Sequence, residues 1–265
     1  MRIATWNINS IRSRIDRVEA FVERHSIDVL AVQETKAKPD QIPTMGLEAR
    51  GYEIASVGYD QWNGVALISR VGLSDIQVGF DGMPSFKDVA EARAISAFCG
   101  TEGAGGVRLT SVYVPNGRKP DDPHYAYKLE WLAALQKASQ AWHDAPSAMV
   151  GDWNVCPLDE DCFDPKQFVG KTHLTPAERE AYFAIEKDFK DVVRPYVPGP
   201  EAYTYFDYYR QRFERNRGLR IDFVLGSPAF ASRVTGAFVD LDERNPAIGT
   251  GSPSDHAPVI VDLAD

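Results

Sequence analysis

The sequence predicts an α/β domain built on mixed β-sheets. Short apolar, β-branched runs recur along the chain and read as strands. Stretches with helical periodicity separate some of these runs and not others. Parallel crossovers and direct antiparallel connections must therefore coexist. No low-complexity tract, Gly/Ser tether or internal sequence repeat interrupts the 265 residues, so residues 1–265 are expected to form one domain. A domain of this size buries roughly three quarters of its unfolded surface and needs no disulfide or metal to hold a core.

"RIATWNI" reads as the first strand. "IDRVEAFVERH" follows as a helix, with Ile15, Val18, Phe21 and Val22 on one face. "DVLAVQE", "GVALIS", "AISAFC" and "LTSVYV" read as further strands, and "GTEGAGGVR" as a hairpin loop between the last two. "AYKLEWLAALQKASQAWH" is a longer helix with Leu129, Leu132, Leu135 and Trp142 at helical spacing. "SAMVGDW" is the next strand. "TPAEREAYFAIEKDF" opens a third helix, with Thr175 as cap, Pro176 at the first helical position and Glu178 three residues after the cap. "RIDFVL" and "PVIVDL" complete the strands.

Composition narrows the setting. Cys99, Cys156 and Cys162 are an odd number without CxxC or zinc-like His spacing. No apolar run is long enough to cross a membrane, and "MRIATWNI" enters a strand rather than a signal peptide. A reducing cytoplasm and no membrane partner are expected. The net charge of -9 argues against a polyanionic partner, but the distribution of charge is the stronger test. Arg210, Arg212, Arg215, Arg217 and Arg220 lie within eleven residues. Arg12, Arg14 and Arg17 follow the first strand, Lys36 and Lys38 the second, and Arg118 and Lys119 follow "YVPN". Charge runs are usually solvated loops. Their coincidence with strand ends favours a phosphate-binding face.

The polar residues that need explaining also sit at strand ends: Asn7 and Asn9, Glu34, Tyr113 and Asn116, Asp152 and Asn154, Asp222, and the pair Asp255 and His256. Any one of them alone reads as turn chemistry. Asp222 is the hardest to dismiss, because a carboxylate between Ile221 and Phe223 needs a partner. Phosphodiester cleavage accounts for the whole set. Glu34 suits a hard cation that takes oxygen ligands. Asp152 or His256 suits the base or water-orienting group, and Asp222 the orienter of the imidazole. Asn7, Asn154, Tyr113 and His256 can donate to developing phosphate charge. A GxxxxGK[ST] loop, HExxH and GxSxG are absent, which weighs against a nucleotide-driven kinase, a zincin and a serine hydrolase.

The chain resembles the exonuclease III family of abasic-site endonucleases, within the endonuclease/exonuclease/phosphatase superfamily. The resemblance is carried, in order, by "ATWNINSIRSR", "VQETK", "NGVALISR", "YVPNG", "GDWNV", "NRGLRIDFVL" and "SPSDHAPV". It spans nearly the whole chain. It implies a four-layered α/β sandwich, two mixed sheets face to face with helices outside. It implies Mg2+-dependent cleavage 5′ to abasic sites in duplex DNA, with Mn2+ as a substitute, and 3′→5′ exonuclease and 3′-phosphatase or phosphodiesterase activity at blocked 3′ ends. A monomer is expected. By the same resemblance, Glu34 ligates the metal, with Asn9 and Asp255 as further contacts. Asp222 orients His256 against the scissile phosphate. Asp152 activates water or protonates the leaving group. Asn7 and Asn154 position phosphate and carboxylates, and Tyr113 and Asn116 bind phosphate. Tyr205 stands where bacterial relatives often have Trp, and is expected to pack on the abasic sugar or wedge into the duplex. Arg212 and Arg215 are expected along the duplex. The competing readings are another phosphoesterase of the superfamily and a non-catalytic nucleic-acid-binding protein on the same fold.

Overall fold

In the computed structural model, which describes residues 1–264 apart from 102 and 104, the strands form two six-stranded sheets. The first contains β1 (Arg2–Asn7), β2 (Val29–Gln33), β3 (Glu53–Val57), β4 (Val65–Ser69), β11 (Val234–Val239) and β12 (Val259–Leu263), in the order β11-β12-β1-β2-β4-β3. The second contains β5 (Leu73–Val78), β6 (Ala94–Cys99), β7 (Val107–Tyr113), β8 (Ser147–Asp152), β9 (Lys190–Asp191) and β10 (Asp222–Gly226), in the order β5-β6-β7-β8-β10-β9. Each sheet has one parallel pair at its centre. β1 and β2 are joined through α1 (Ile15–Arg24), and β7 and β8 through α3 (Pro123–Ser139). Every other pairing is antiparallel. The two sheets thus share one strand plan, although no sequence repeat announces it.

Strand alternation explains the layering. In β1, Ile3 faces the other sheet, and with Val29 and Leu67 of its own sheet it shares one core with Leu109, Val150 and Val224 of the second. Ala4 and Trp6 face outward and are covered by Val18 and Phe21 of α1. On the far side, Trp131, Leu132 and Leu135 of α3, with Tyr182 and Ile185 of α4 (Pro176–Glu186), cover Met149, Phe223 and Leu225. The order helix, sheet, sheet, helix is the expected four-layered sandwich. Short helices α2 (Met45–Glu48) and α5 (Pro228–Ala231) complete the elements. The capping box predicted for α4 is present, with Thr175 accepting from Glu178 N. β6 and β7 pair antiparallel around the expected hairpin loop, of which residues 102 and 104 lie outside the described residues.

Toward one end of the sandwich the inter-sheet layer turns polar. Gln33 Nε2 donates to Thr5 Oγ1 at 3.0 Å and across to Ser111 Oγ of the second sheet at 3.0 Å. Gly151 sits opposite this seam with φ 145°, where an added Cβ would lie 2.0 Å from the Val112 carbonyl. Val112 is its paired neighbour within the same sheet, and Gln33 Nε2 of the other sheet would lie 3.1 Å from the same Cβ, so only glycine fits there.

Candidate active site

Just beyond the polar seam, both parallel pairs end and release their polar residues into one cleft. β1 ends at Asn7, β2 is followed by Glu34, β7 ends at Tyr113 and β8 at Asp152. Asp222 opens β10 directly opposite Asp152 in the antiparallel register. His256 stands on the turn before β12. Its carbonyl accepts from Trp6 Nε1 at 3.0 Å and its amide donates to Ser254 Oγ at 3.2 Å, so the imidazole leaves a fixed backbone.

The carboxylates are held by amides. Buried Asn7 donates from Nδ2 to Glu34 Oε1 and to Asp152 Oδ2, both at 2.9 Å. The Asn154 backbone N–H donates to Asp152 Oδ1 at 2.9 Å. The Asn154 side chain is committed to protein: Nδ2 donates to the Val114 carbonyl, and Oδ1 accepts from Asn116 Nδ2 at 3.1 Å and lies 3.1 Å from His173 Nε2. Asn7 therefore holds two carboxylates through its side chain, and Asn154 holds Asp152 through its backbone N–H. Burial, with the like charges of Asp222 and Glu34, raises the Asp152 carboxyl to about 7 against the opposing charge of His256. Glu34 is different. Burial opposes its charge, but Lys36, 2.9 Å from Oε2, and the Asn7 hydrogen bond outweigh it and keep Glu34 ionised. Burial together with the charge of nearby Glu34 keeps the Tyr113 phenol protonated, so that it can donate.

His256 Nδ1 lies 2.8 Å from Asp222 Oδ2, and Nε2 lies 3.8 Å from Asp152 Oδ2. Burial works against an imidazolium, but the charge and hydrogen bond of Asp222, with Asp152 and Asp255 behind it, prevail and push the His256 pKa up to about 10. His256 is a cation at neutral pH. Ligand atoms of Glu34, Asp152 and His256 all lie within 4.8 Å of one another. A protonated imidazole offers no lone pair to a metal, so the oxygen donors of this cluster are the ones that fit a hard divalent cation. Asn9, outside the cleft lining, accepts at Oδ1 from Lys36 Nζ at 2.6 Å and donates from Nδ2 to Asp255 Oδ1 at 3.0 Å.

The cleft has a volume of about 350 Å³. Glu34, Tyr113, Asn116, Asp152, Asn154, Tyr205, Arg212, Asp255 and His256 all line it. Tyr205 packs its ring 5.0 Å from that of His256, while neighbouring Phe206 is buried against Tyr203 and Phe213. Arg215 is exposed on the same loop, outside the cleft lining. Arg220 belongs to the interior, paired with Asp191 at 2.6 Å. Arg17 is likewise buried, paired with Glu243 at 3.2 Å, and is no part of a phosphate-binding face. The structure adds Phe163, Phe168, Lys171, His173 and Arg217 to the lining. His173 carries a positive φ of 84°. Its only trace in the sequence was a His two residues before a helix cap.

Residues 4–256 match the Endonuclease/Exonuclease/phosphatase family. A relative from Haemophilus influenzae, "Exodeoxyribonuclease III", is 31% identical over 98% of both chains. Among solved structures, a 3′ phosphatase from Neisseria bound to a product DNA hairpin superposes with a TM-score of 0.91 at 33% identity, covering 100% of both chains. An AP endonuclease from Archaeoglobus fulgidus does so with 0.89 at 33%, again over 100% of both chains. The chain belongs to the Endonuclease/Exonuclease/phosphatase family, in its exodeoxyribonuclease III branch.

Proposed function

We propose that this protein is a divalent-metal-dependent DNA repair nuclease whose reactions all break the bond between phosphorus and a 3′ oxygen. Incision 5′ to an abasic site, removal of a 3′ nucleotide and removal of a 3′ phosphate share that step. One cleft with one leaving-group side can serve all three. The carrying observation is the cluster of Glu34, Asp152 and the Asp222–His256 pair at the end of the polar seam.

Bound Mg2+, or Mn2+ in its place, supplies Lewis-acid neutralisation of phosphate charge. Glu34 would hold it, with Asn9 and Asp255 beside it. His256, kept cationic by Asp222, stabilises the non-bridging oxygens and has no lone pair with which to take a proton. Asp152 remains as the group that orients the attacking water and accepts its proton. Its pKa, raised by burial to about 7, suits a base working near neutrality. Tyr113 and Asn116 donate to the phosphate. Tyr205 offers an apolar face to the sugar. Arg212 approaches the strand within the cleft, and Arg215 meets flanking phosphates. We further propose that residues 1–265 act as one domain and as a monomer in the cytoplasm, where the three free cysteines stay reduced.

The test is a panel of three duplexes, carrying an abasic analogue, a 3′ phosphate or a recessed 3′ nucleotide, each with Mg2+ and with a chelator. Metal-dependent release of a 3′ hydroxyl is expected. No hydrolysis of any of the three sinks the reading in favour of a binding protein.

A further inference from the structure

A buried ion pair lies beneath the cleft, and the reaction as derived above makes no use of it. Lys128 of α3 and Glu178 of α4 are both fully buried, and their side chains contact each other directly. Lys128 Nζ also donates to the Asn154 carbonyl at 2.7 Å, with the Asn116 carbonyl and Thr172 Oγ1 each 3.3 Å away. Glu178 Oε1 accepts from the His173 amide at 2.9 Å, and Oε2 from the Thr175 amide at 3.0 Å. Thr172 Oγ1 donates to the Asn116 carbonyl at 2.9 Å. One cation and one carboxylate thus tie together the loop after β7, the loop after β8 and the loop before α4.

Those loops deliver Asn116, Asn154 and His173 to the cleft. The three side chains then meet at Asn154 Oδ1. Two of them have left-handed backbones, Asn154 with φ 51° and His173 with φ 84°. Outside glycine, and for His173 above all, a left-handed backbone persists where the surroundings dictate it. Folding stability alone gives little reason for this pair, because replacing a buried ion pair with apolar groups is often neutral or stabilising. There is no slack either: a Cβ on Gly117 would lie 3.0 Å from Lys128 Cδ and 2.9 Å from Thr172 Oγ1.

We propose that Lys128, locked by Glu178, is a positioning residue that sets the Asn116–Asn154–His173 wall of the cleft and, through the Asn154 backbone N–H, the orientation of Asp152. The pair acts on turnover through geometry and never touches substrate. The proposal rests on the functional reading above.

The test compares the wild type with Glu178→Gln, which keeps shape and removes the charge that locks Lys128, and with the double variant Lys128→Met/Glu178→Gln, which removes both charges. A 3′-phosphorylated duplex with Mg2+ serves as substrate. Expected is a loss of kcat of roughly tenfold to a hundredfold in the double variant. KM should stay within about twofold and the midpoint of thermal unfolding within about 4 °C. Glu178→Gln should lose less kcat in the same pattern. A kcat per folded molecule that equals wild type in Glu178→Gln overturns the proposal, whatever the double variant's stability. NMR of the Asn116 and Asn154 side-chain amides needs no turnover. Unchanged shifts and exchange rates in Glu178→Gln would also overturn it. A wild type inactive on every duplex would refute the functional reading and leave the NMR comparison to decide this one.

Discussion

Replacing Asp222 with Asn removes the carboxylate 2.8 Å from His256 Nδ1 while keeping the side chain's size. Raising a histidine from its ordinary 6.5 to about 10 corresponds to about 5 kcal/mol favouring the charged form. Asp222 is the largest attraction working against burial in that sum, and Asp152 and Asp255 are the lesser ones. Without Asp222, burial should win, and His256 should titrate at or below neutrality. Turnover at pH 7.5 should then fall by at least about a hundredfold, and the deficit should shrink as the pH is lowered and the imidazole is recharged. Stability has the same origin. A folded-state pKa above the unfolded one stabilises fully below pH 6.5, and that contribution is lost as the pH rises toward about 10. The Asn variant should lose this slope. The assay is an NMR titration of isotope-labelled histidine with Mg2+ present, beside a pH–rate profile. His256→Ala combined with Asp222→Asn should cost little more than the worse single change, because the two act as a unit. A His256 pKa still above 8 in the Asn variant, or fully additive losses, would refute the reasoning.

Glu34→Gln should lower turnover by about two orders of magnitude at limiting Mg2+, with partial recovery at high Mg2+ or with Mn2+; an unchanged Mg2+ dependence would remove Glu34 from the metal. Arg212→Ala and Arg215→Ala should each flatten the salt dependence of DNA binding by roughly 0.9, but only Arg212→Ala, which alters the cleft, should also lower kcat. Burial holds His124 down at about 4 and His173 low as well, so both are neutral in the folded protein. Their unfolded counterparts protonate near 6.5, so stability should fall as the pH drops from about 6.5 toward 4. Urea unfolding at pH 7 and pH 5 measures this, and an equal midpoint at both would contradict it.

The elements legible in the sequence are those with a buried face on both sides or a clean helical stripe. β2 and β4 are buried at every position and read as continuous apolar runs. The missed strands lie at or near the sheet edges, where burial no longer writes a pattern. β5 has Ile76 and Val78 exposed. β11 contains Gly236 beside a register shift, and β9 is two residues long. The strand-end carboxylates could be read because an Asp or Glu beside an apolar run demands an explanation. Lys128 and His173 could not. Lys128 sits in a helix where lysine is ordinary, and nothing local shows that its ammonium passes beneath two loops. His173 is tied to Asn154 only once α4 has docked. Tyr205 reaches the cleft without belonging to a named strand, held by isolated bridges to Leu219 and His256.

The pairing of β1 with both β2 and β12 has a consequence for biosynthesis. On the ribosome β1 must wait for β12, which follows every other strand of the two sheets, before its sheet can close. Asn7 and Glu34 can be in place early, but His256 and the turn that fixes it arrive immediately before β12. A nascent chain therefore lacks a working site until His256 has emerged, and a fragment cut short before β12 carries an open sheet edge in its place. The order of the strands makes the last one, far from the cleft at its end, as indispensable as any residue within it.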